Sequence, residues 1–282
     1  MHDSNSKSYK DIIQISSKLK EKLPTSYDTI GNIALIKLDD NLIKFKEQIG
    51  EALIEANKNI KTVYLAKPVK GEYRTRNFEI IAGEKKTETI HKEFGLTFYI
   101  DIEKAYFSPR LANERRRISK LVKSGEVIVD MFTGVAPFPI MIAKNANPEI
   151  VFGIDKNKDA IDLAKKNITI NRVLDKVEII NDDAKNATTI LEKYKAKADR
   201  IIMNLPFSSF NFFETALEII GNNATIHYYD IQHEDKIKDR IDELIKTSNK
   251  KDVEITNYKI NKIKSYSPHE FYIGIDITAK RK

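Results

Sequence analysis

The 282-residue chain contains no cysteine and no tryptophan. Without cysteine, disulfide frameworks, thiolate zinc sites, iron–sulfur clusters and cysteine nucleophiles are excluded together. No apolar run reaches the ~18 residues that a membrane-spanning helix needs. The N-terminus, Met1 to Gln14, lacks the basic-then-apolar pattern of a signal peptide, so a cytoplasmic protein is expected. What is present, 41% hydrophobic and 32% charged residues, is the profile of a globular chain long enough for one large domain or two ordinary ones.

The charge is uneven. Residues 1–125 hold 24 Lys+Arg against 17 Asp+Glu, whereas residues 126–282 hold 24 of each, so the whole excess of +7 lies in the first part. A basic front half beside a neutral one suggests that the front meets a polyanion, although lysine-rich usage throughout would give the same count.

Hydrophobic spacing divides the chain the same way. Residues 1–22 read as a basic tail, with an amphipathic helix over 6–23 that stops before Pro24. A small α+β domain follows over 23–105, with a strand at 28–38, a helix at 41–57 and strands at 61–66, 78–82, 87–91 and 96–102. Residues 106–282 read as a third segment in which apolar strands alternate with helices. Its strands fall at 126–131, 150–154, 177–181, 199–204 and 224–229, with helices up to 145 and over 158–171, 210–220 and 233–248. Two closing strands, 253–260 and 271–279, make an antiparallel tail. This rhythm predicts an α/β fold with a doubly wound, mostly parallel sheet, which binds ligands at the carboxyl ends of its strands.

The informative residues stand at those ends. The first strand runs into Asp130-Met131-Phe132-Thr133-Gly134-Val135-Ala136-Pro137, a glycine-bearing loop that lets backbone amides approach a ligand, or a plain strand-to-helix turn. Asp155 ends the second strand, where a carboxylate accepts hydrogen bonds from ribose hydroxyls or caps the next helix. Asp183 follows the third strand and can take an exocyclic amine of adenine, with the Ala184 amide beside it, or serve a turn. Asn204-Leu205-Pro206-Phe207 after the fourth offers an amide and a carbonyl to a flat ring.

Together with Gly71-Glu72-Tyr73-Arg74-Thr75-Arg76, Tyr106-Phe107-Ser108-Pro109-Arg110-Leu111, Glu114-Arg115, Ile226-His227-Tyr228-Tyr229 and Lys264-Ser265-Tyr266-Ser267-Pro268, these stretches resemble the archaeal-type tRNA (guanine-37-N1)-methyltransferase family in order and over about residues 28–280. The resemblance implies a class I, Rossmann-like methyltransferase domain using S-adenosyl-L-methionine on the anticodon arm of tRNA. No metal and no membrane are expected, and the sequence does not indicate the oligomeric state, a monomer being favoured. The resemblance further implies that Arg74 holds guanine O6 and that Glu114 is the general base. Arg115, Phe132, Asp155, Lys156, Asp183 and Ala184 line the cofactor pocket, with Asn204 between cofactor and target. Tyr73, Arg110, Pro206 and Phe207 are the implied RNA contacts.

The chemistry is consistent with those roles. Guanine N1 carries a proton and becomes nucleophilic only when a carboxylate removes it. The charge then moves to O6, where a guanidinium stabilises it. Of Arg115, Arg116, Arg117 and Lys120, expected on one helix, some would face phosphates.

Two features depart from the family. Ala136 stands where glycine is frequent, which places a methyl group near the cofactor, and the extra N-terminal module of larger members is not expected. Short relatives act on wyosine intermediates at the same nucleoside, by C7 methylation or aminocarboxypropyl transfer. Arg110 and Asn204-Leu205-Pro206 favour methyl transfer. A cofactor-free RNA-binding protein on this scaffold is the reading from another class.

Overall fold

The computed structural model describes residues 7–69 and 76–282, without the side chains of residues 67–69, 76 and 77. The chain forms two compact units, Met1–Ala112 and Asn113–Lys282. The expected boundary at 105/106 lies a few residues upstream of this division.

In the first unit, residues 6–23 do not form one helix. They form two single turns, α1 (Tyr9–Ile12) and α2 (Ser17–Lys20). Ser8 caps the first, and its reciprocal capping box with Asp11 closes a turn that Ile13 leaves in extended conformation. Breaking the helix lets Tyr9, Ile13 and Leu23 all reach the core. The basic tail is therefore fastened down by apolar contacts.

The expected strand at 28–38 is a hairpin, β1 (Asp28–Ile30) and β2 (Ile33–Ile36), which turns at Gly31 with φ +56°. A Cβ at Gly31 would meet Thr89 Oγ1 at 2.1 Å, so only glycine fits beneath the neighbouring strand. A 3-10 segment (Asp40–Phe45) and α3 (Lys46–Ala56) cross over to β3 (Thr62–Val69), parallel to β2, and β4 (Arg76–Gly83) completes the sheet in the order β1-β2-β3-β4. Helix α3 buries Ile49, Ala52 and Leu53 on it. A second hairpin pairs β5 (Glu88–Glu93) with β6 (Leu96–Asp101), and Phe107 packs on its Phe98 and His91.

The second unit begins with α4 (Ala112–Leu121). Strands β7 (Val127–Asp130), β8 (Ile150–Asp155), β9 (Val177–Asn181), β10 (Ala198–Met203) and β11 (Ile220–His233) alternate with α5 (Pro137–Asn145), α6 (Lys158–Ile170), α7 (Ala187–Lys193), α8 (Phe213–Ile219) and α9 (Ile237–Lys250). The long hairpin of β12 (Val253–Ser267) and β13 (Glu270–Arg281) closes the chain. Sheet order is β12-β13-β11-β10-β7-β8-β9, with β13 antiparallel to both neighbours and the other pairings parallel. The chain starts in the middle at β7, winds outward to β9, then returns to β10 on the other side. The reversal leaves a crevice at the carboxyl ends of β7 and β10, where open sheets of this kind bind ligands. Helix α7 was not expected, and β11 and β12 extend well past the expected strands.

Candidate active site

Backbone hydrogen bonds stitch the strand ends together. Met131 N donates to Ile202 O (3.0 Å), Thr133 N to Ile154 O (2.9 Å) and Asp182 N to Asp155 O (3.2 Å). The loop after β7 is thereby tied to β8 and β10. It turns through Gly134 (φ +53°) and Ala136 (φ +64°) into Pro137 at the start of α5.

Ala136 is fully buried in a left-handed conformation that costs an L-residue roughly 1–2 kcal/mol. Alanine here therefore strains the backbone, which adds a reason for glycine beyond the methyl group expected near the cofactor.

The residues singled out in the sequence are distributed as follows. Asp155 receives the Gly134 amide (2.8 Å) and the Asn157 amide (2.9 Å), one on each carboxylate oxygen, so it holds the glycine loop in place. Burial raises its pKa above the usual carboxylate range against the pull of those two amides. The helix-cap alternative for Asp155 is not realised, because Asn157 caps α6. Asp183 does act as a cap, accepting from Lys185 N (2.9 Å), and Ala184 is buried beside it. Lys156 is half-buried. Phe132 packs edge-on against Phe212 at 4.9 Å.

Asn204 follows β10, and its Oδ1 accepts the Tyr272 hydroxyl. Pro206 is buried with its carbonyl bonded to Ile231 N (3.2 Å), and Phe207 is exposed. Arg110 lies in the first unit and pairs with Asp28. Tyr73 and Arg74 lie outside the described residues.

Helix α4 divides its basic run. Arg116 and Lys120 are exposed, but Arg115 is completely buried and Arg117 turns inward. Glu114 is not a solvated helix carboxylate: it is 7% exposed and gripped by three groups. Arg117 Nε and Nη2 each donate to it at 2.8 Å, and the Tyr229 hydroxyl donates to Oε1 at 2.8 Å.

Arg117 in turn binds Asp276 through Nη1 (2.6 Å) and Nη2 (3.0 Å). Asp276 contacts His227 Nδ1 (2.6 Å), and His227 Nε2 contacts Arg200 (2.7 Å). Arg200 can only donate, so the ring proton of His227 sits on Nδ1 and is donated to Asp276. Burial lowers the pKa of His227 against the attraction of Asp276, which keeps the ring neutral. The chain ends at Glu126, which takes Arg200 Nε (2.7 Å) and Nη2 (3.0 Å).

A row of rings links Glu114 to Asn204. Tyr229 lies 6.0 Å from Tyr272, the residue that holds Asn204. Glu114 and Asn204 thus belong to one cluster at the ends of β10 and β11.

Reasoning from sequence missed Tyr229, Asp276, His227 and Tyr272 as supports of this cluster and left the partner of Glu114 open among Arg115, Arg116 and Arg117, of which the structure selects Arg117. It also left Asp130 without a role. Asp276, inside an apolar stretch of β13, and Asp130, closing the apolar strand β7, carry a readable signal, a charge that demands a partner.

Asp130, 1% exposed, is the most perturbed acid of the strand ends. Burial pushes its pKa up to about 7 against the pull of the Phe132 amide and the Thr133 hydroxyl close by, and neither its Oδ2 nor that hydroxyl has a well-formed hydrogen bond among the described residues. Gly153 supports this corner, since a Cβ there would lie 2.9 Å from Thr133 Oγ1. Two orphaned buried oxygens, a glycine turn and a carboxylate on the next strand fit an adenosyl ligand carrying cationic groups.

The raised pKa has a defined sign. The folded state keeps a proton that the unfolded chain has lost, so Asp130 removes stability as pH rises from about 4 to about 7. Asp130→Asn is therefore expected to raise the melting temperature of the free protein at pH 8, but not at pH 4, while weakening cofactor binding about tenfold or more. Melting curves at both pH values and equilibrium dialysis check this.

A sheet that starts in its middle, with these loops at the carboxyl ends and an antiparallel seventh strand inserted beside the fifth, defines a class I methyltransferase. The TRM5/TYW2 methyltransferase domain family matches residues 89–256, and the TYW2 N-terminal domain family matches residues 9–87. The chain belongs to the TRM5/TYW2 methyltransferase family.

It is 41% identical over 271 residues to the tRNA (guanine(37)-N(1))-methyltransferase Trm5b of Pyrococcus abyssi, covering 95% of this chain and 79% of that one. The crystal structure of that Trm5b superposes with a TM-score of 0.85 at 40% identity, covering 98% and 82%. A complex of aTrm5 with tRNALeu gives a TM-score of 0.81 at 38% identity, covering 99% and 79%. A tRNA(Phe) (4-demethylwyosine(37)-C(7)) aminocarboxypropyltransferase of Pyrococcus horikoshii is 30% identical over 267 residues, covering 94% and 92%. Among the described residues, no helix is long and apolar enough to cross a membrane.

Proposed function

We propose that this enzyme transfers a methyl group from S-adenosyl-L-methionine to N1 of guanosine 37 in the tRNA anticodon loop. The observation that carries the reading is the buried, three-fold-anchored Glu114 linked through Tyr229 and Tyr272 to Asn204. The 41% identical relative that acts on guanosine 37, and the relative found in complex with tRNA, support the substrate.

Asp130, Phe132, Asp155, Lys156, Asp183, Ala184 and Arg115 would hold the cofactor, which supplies an electrophilic methyl group when bound. The remaining work falls to the chain's own groups. The target base leaves its stack to enter a pocket, and Asn204 and Pro206 border it. Glu114 takes the N1 proton. When it does so, Arg117 keeps Asp276 as a second carboxylate, so proton uptake does not strand the guanidinium. Arg74 offsets the charge that develops on O6. Arg110, Tyr73 and Phe207 contact RNA. Alignment of acceptor and methyl group then contributes most of the remaining acceleration.

A second reading is aminocarboxypropyl transfer or C7 methylation on the tricyclic wyosine precursor. The match of residues 9–87 to the TYW2 N-terminal domain favours it. Unmodified tRNA and tRNA carrying the precursor, each incubated with the protein and cofactor and then digested for nucleoside mass spectrometry, separate the two. The expected product is 1-methylguanosine from unmodified tRNA, and its absence would refute the proposal.

A further inference from the structure

One feature of the second unit lies beside the target side of the site and has no part in the chemistry above. Phe207 and Tyr266 are 58% and 54% exposed, and they meet edge-to-face at 5.7 Å. Scattered exposed apolar residues need no explanation, but two large rings paired in water leave apolar area that a ligand could cover.

Their position is set by the fold. Phe207 directly follows the Asn204-Leu205-Pro206 turn after β10, and Tyr266 lies near the end of β12. Between them in the sheet, Tyr272 of β13 reaches Asn204. The pair therefore sits on the rim of the cluster that contains Asn204.

A cation accompanies it. Lys264 Nζ lies 5.4 Å from the ring centroid of Tyr272, the residue that reaches Asn204, whereas Lys262 Nζ lies 3.9 Å from that of Phe271, which alternates to the other face of β13. Strand β12 is the free edge of the seven-stranded sheet. It carries Lys259, Lys262 and Lys264 against the single acid Glu254. Of the acids around this turn, Glu270 accepts from Ser267, and Glu234 contacts His269 at 2.8 Å and also feels the charge of Lys262. Exposed aromatic faces next to ammonium groups suit a single-stranded nucleic acid, whose bases stack while its phosphates meet the cations.

We infer that Phe207 and Tyr266, with Lys264, form a second RNA subsite that stacks a nucleobase adjoining the target nucleotide and holds a neighbouring phosphate. The inference rests on the proposed action on an anticodon loop and adds to it a residue set on β12. A flipped target leaves its neighbours without a stacking partner, and an aromatic rim beside the pocket replaces what they lose.

The test uses the full chain and anticodon stem-loops with 2-aminopurine at either position flanking the target. With the wild-type protein, binding quenches fluorescence at one of the two positions. In Tyr266→Ala the quench disappears and the KM for the stem-loop rises about tenfold, as expected for loss of one base–aromatic stack. Tyr266→Phe retains both. The kcat stays within about threefold, because Tyr266 touches no reacting atom. Lys264→Met weakens binding equally for different loop sequences and lowers the salt slope of binding by about one.

An unchanged quench and KM in Tyr266→Ala overturns the inference, and so does a fall in melting temperature that accounts for the loss. If the wild type methylates no stem-loop, the proposed activity fails, yet the quench still reports whether the rim stacks a base. The two failures are thus separable.

Discussion

Replacing Glu114 by Gln is expected to lower kcat by about 10²- to 10⁴-fold, the range by which a positioned general base contributes. Cofactor affinity should change little, and the melting temperature should fall by no more than a few degrees. The amide keeps the shape of the carboxylate and an oxygen that can still accept from Tyr229 or Arg117. It cannot take a proton from guanine N1. Arg117 meanwhile retains its two bonds to Asp276, so no buried cation is abandoned. Rate loss with near-normal folding would separate a base from a structural carboxylate. Single-turnover methylation with saturating cofactor, alongside thermal melting, measures both. A variant with wild-type kcat would remove Glu114 from the chemistry altogether.

Much of this site was legible in advance, for identifiable reasons. The parallel strands announce themselves as short apolar runs, and their ends as polar residues that a fully buried strand would not tolerate. Asp155, Asp183 and Asn204 were singled out in this way, and the structure places each at or just past a strand end. The hairpin at Gly31 was read as one strand, because a two-residue turn within a β-rich run interrupts the apolar pattern too briefly to show. Residues 6–23 were read as one helix because their apolar spacing suits a helix. The core instead draws Tyr9, Ile13 and Leu23 inward at separate places, and tertiary packing overrides local preference. The partner of Glu114 could not be picked out from three consecutive arginines, since only helix phase and the position of Asp276 on a strand 159 residues later select Arg117. Long-range pairs of this kind leave no local trace beyond a charge in an apolar strand, of which Asp276 in Ile273-Gly274-Ile275-Asp276-Ile277 is the clearest case.

The same pairing makes Arg117 the position where substitution should damage folding most. Burial opposes its charge, but the hydrogen bonds that it donates to Glu114 and Asp276 outweigh that and hold the guanidinium firmly protonated. Burial likewise raises the pKa of Asp276, while His227 and Arg117 pull it below the ordinary carboxylate range and prevail. Arg117→Met keeps much of the side-chain volume and removes the guanidinium that contacts both acids. Breaking a buried ion pair on one side costs about 3–5 kcal/mol, because a charge stays behind without compensation. At roughly 2–4 °C per kcal/mol for a chain approaching this size, the melting temperature should drop by about 6–20 °C.

The pH dependence carries the diagnosis. A depressed Asp276 contributes stability that is present above its unfolded pKa near 4 and is lost as pH falls through the folded value. Arg117→Met gives up part of that contribution, so its deficit should be largest at neutral pH and should narrow below pH 4. Activity should fall with stability, since Glu114 loses the fork that fixes both of its oxygens, and Arg117→Lys should restore folding better than turnover because an ammonium cannot grip both carboxylates in parallel. Melting curves from pH 2 to 8 for wild type, Arg117→Met and Arg117→Lys read the result. A deficit that is constant across that range would mean that Arg117 acts through packing alone and that its charge is not what anchors the base.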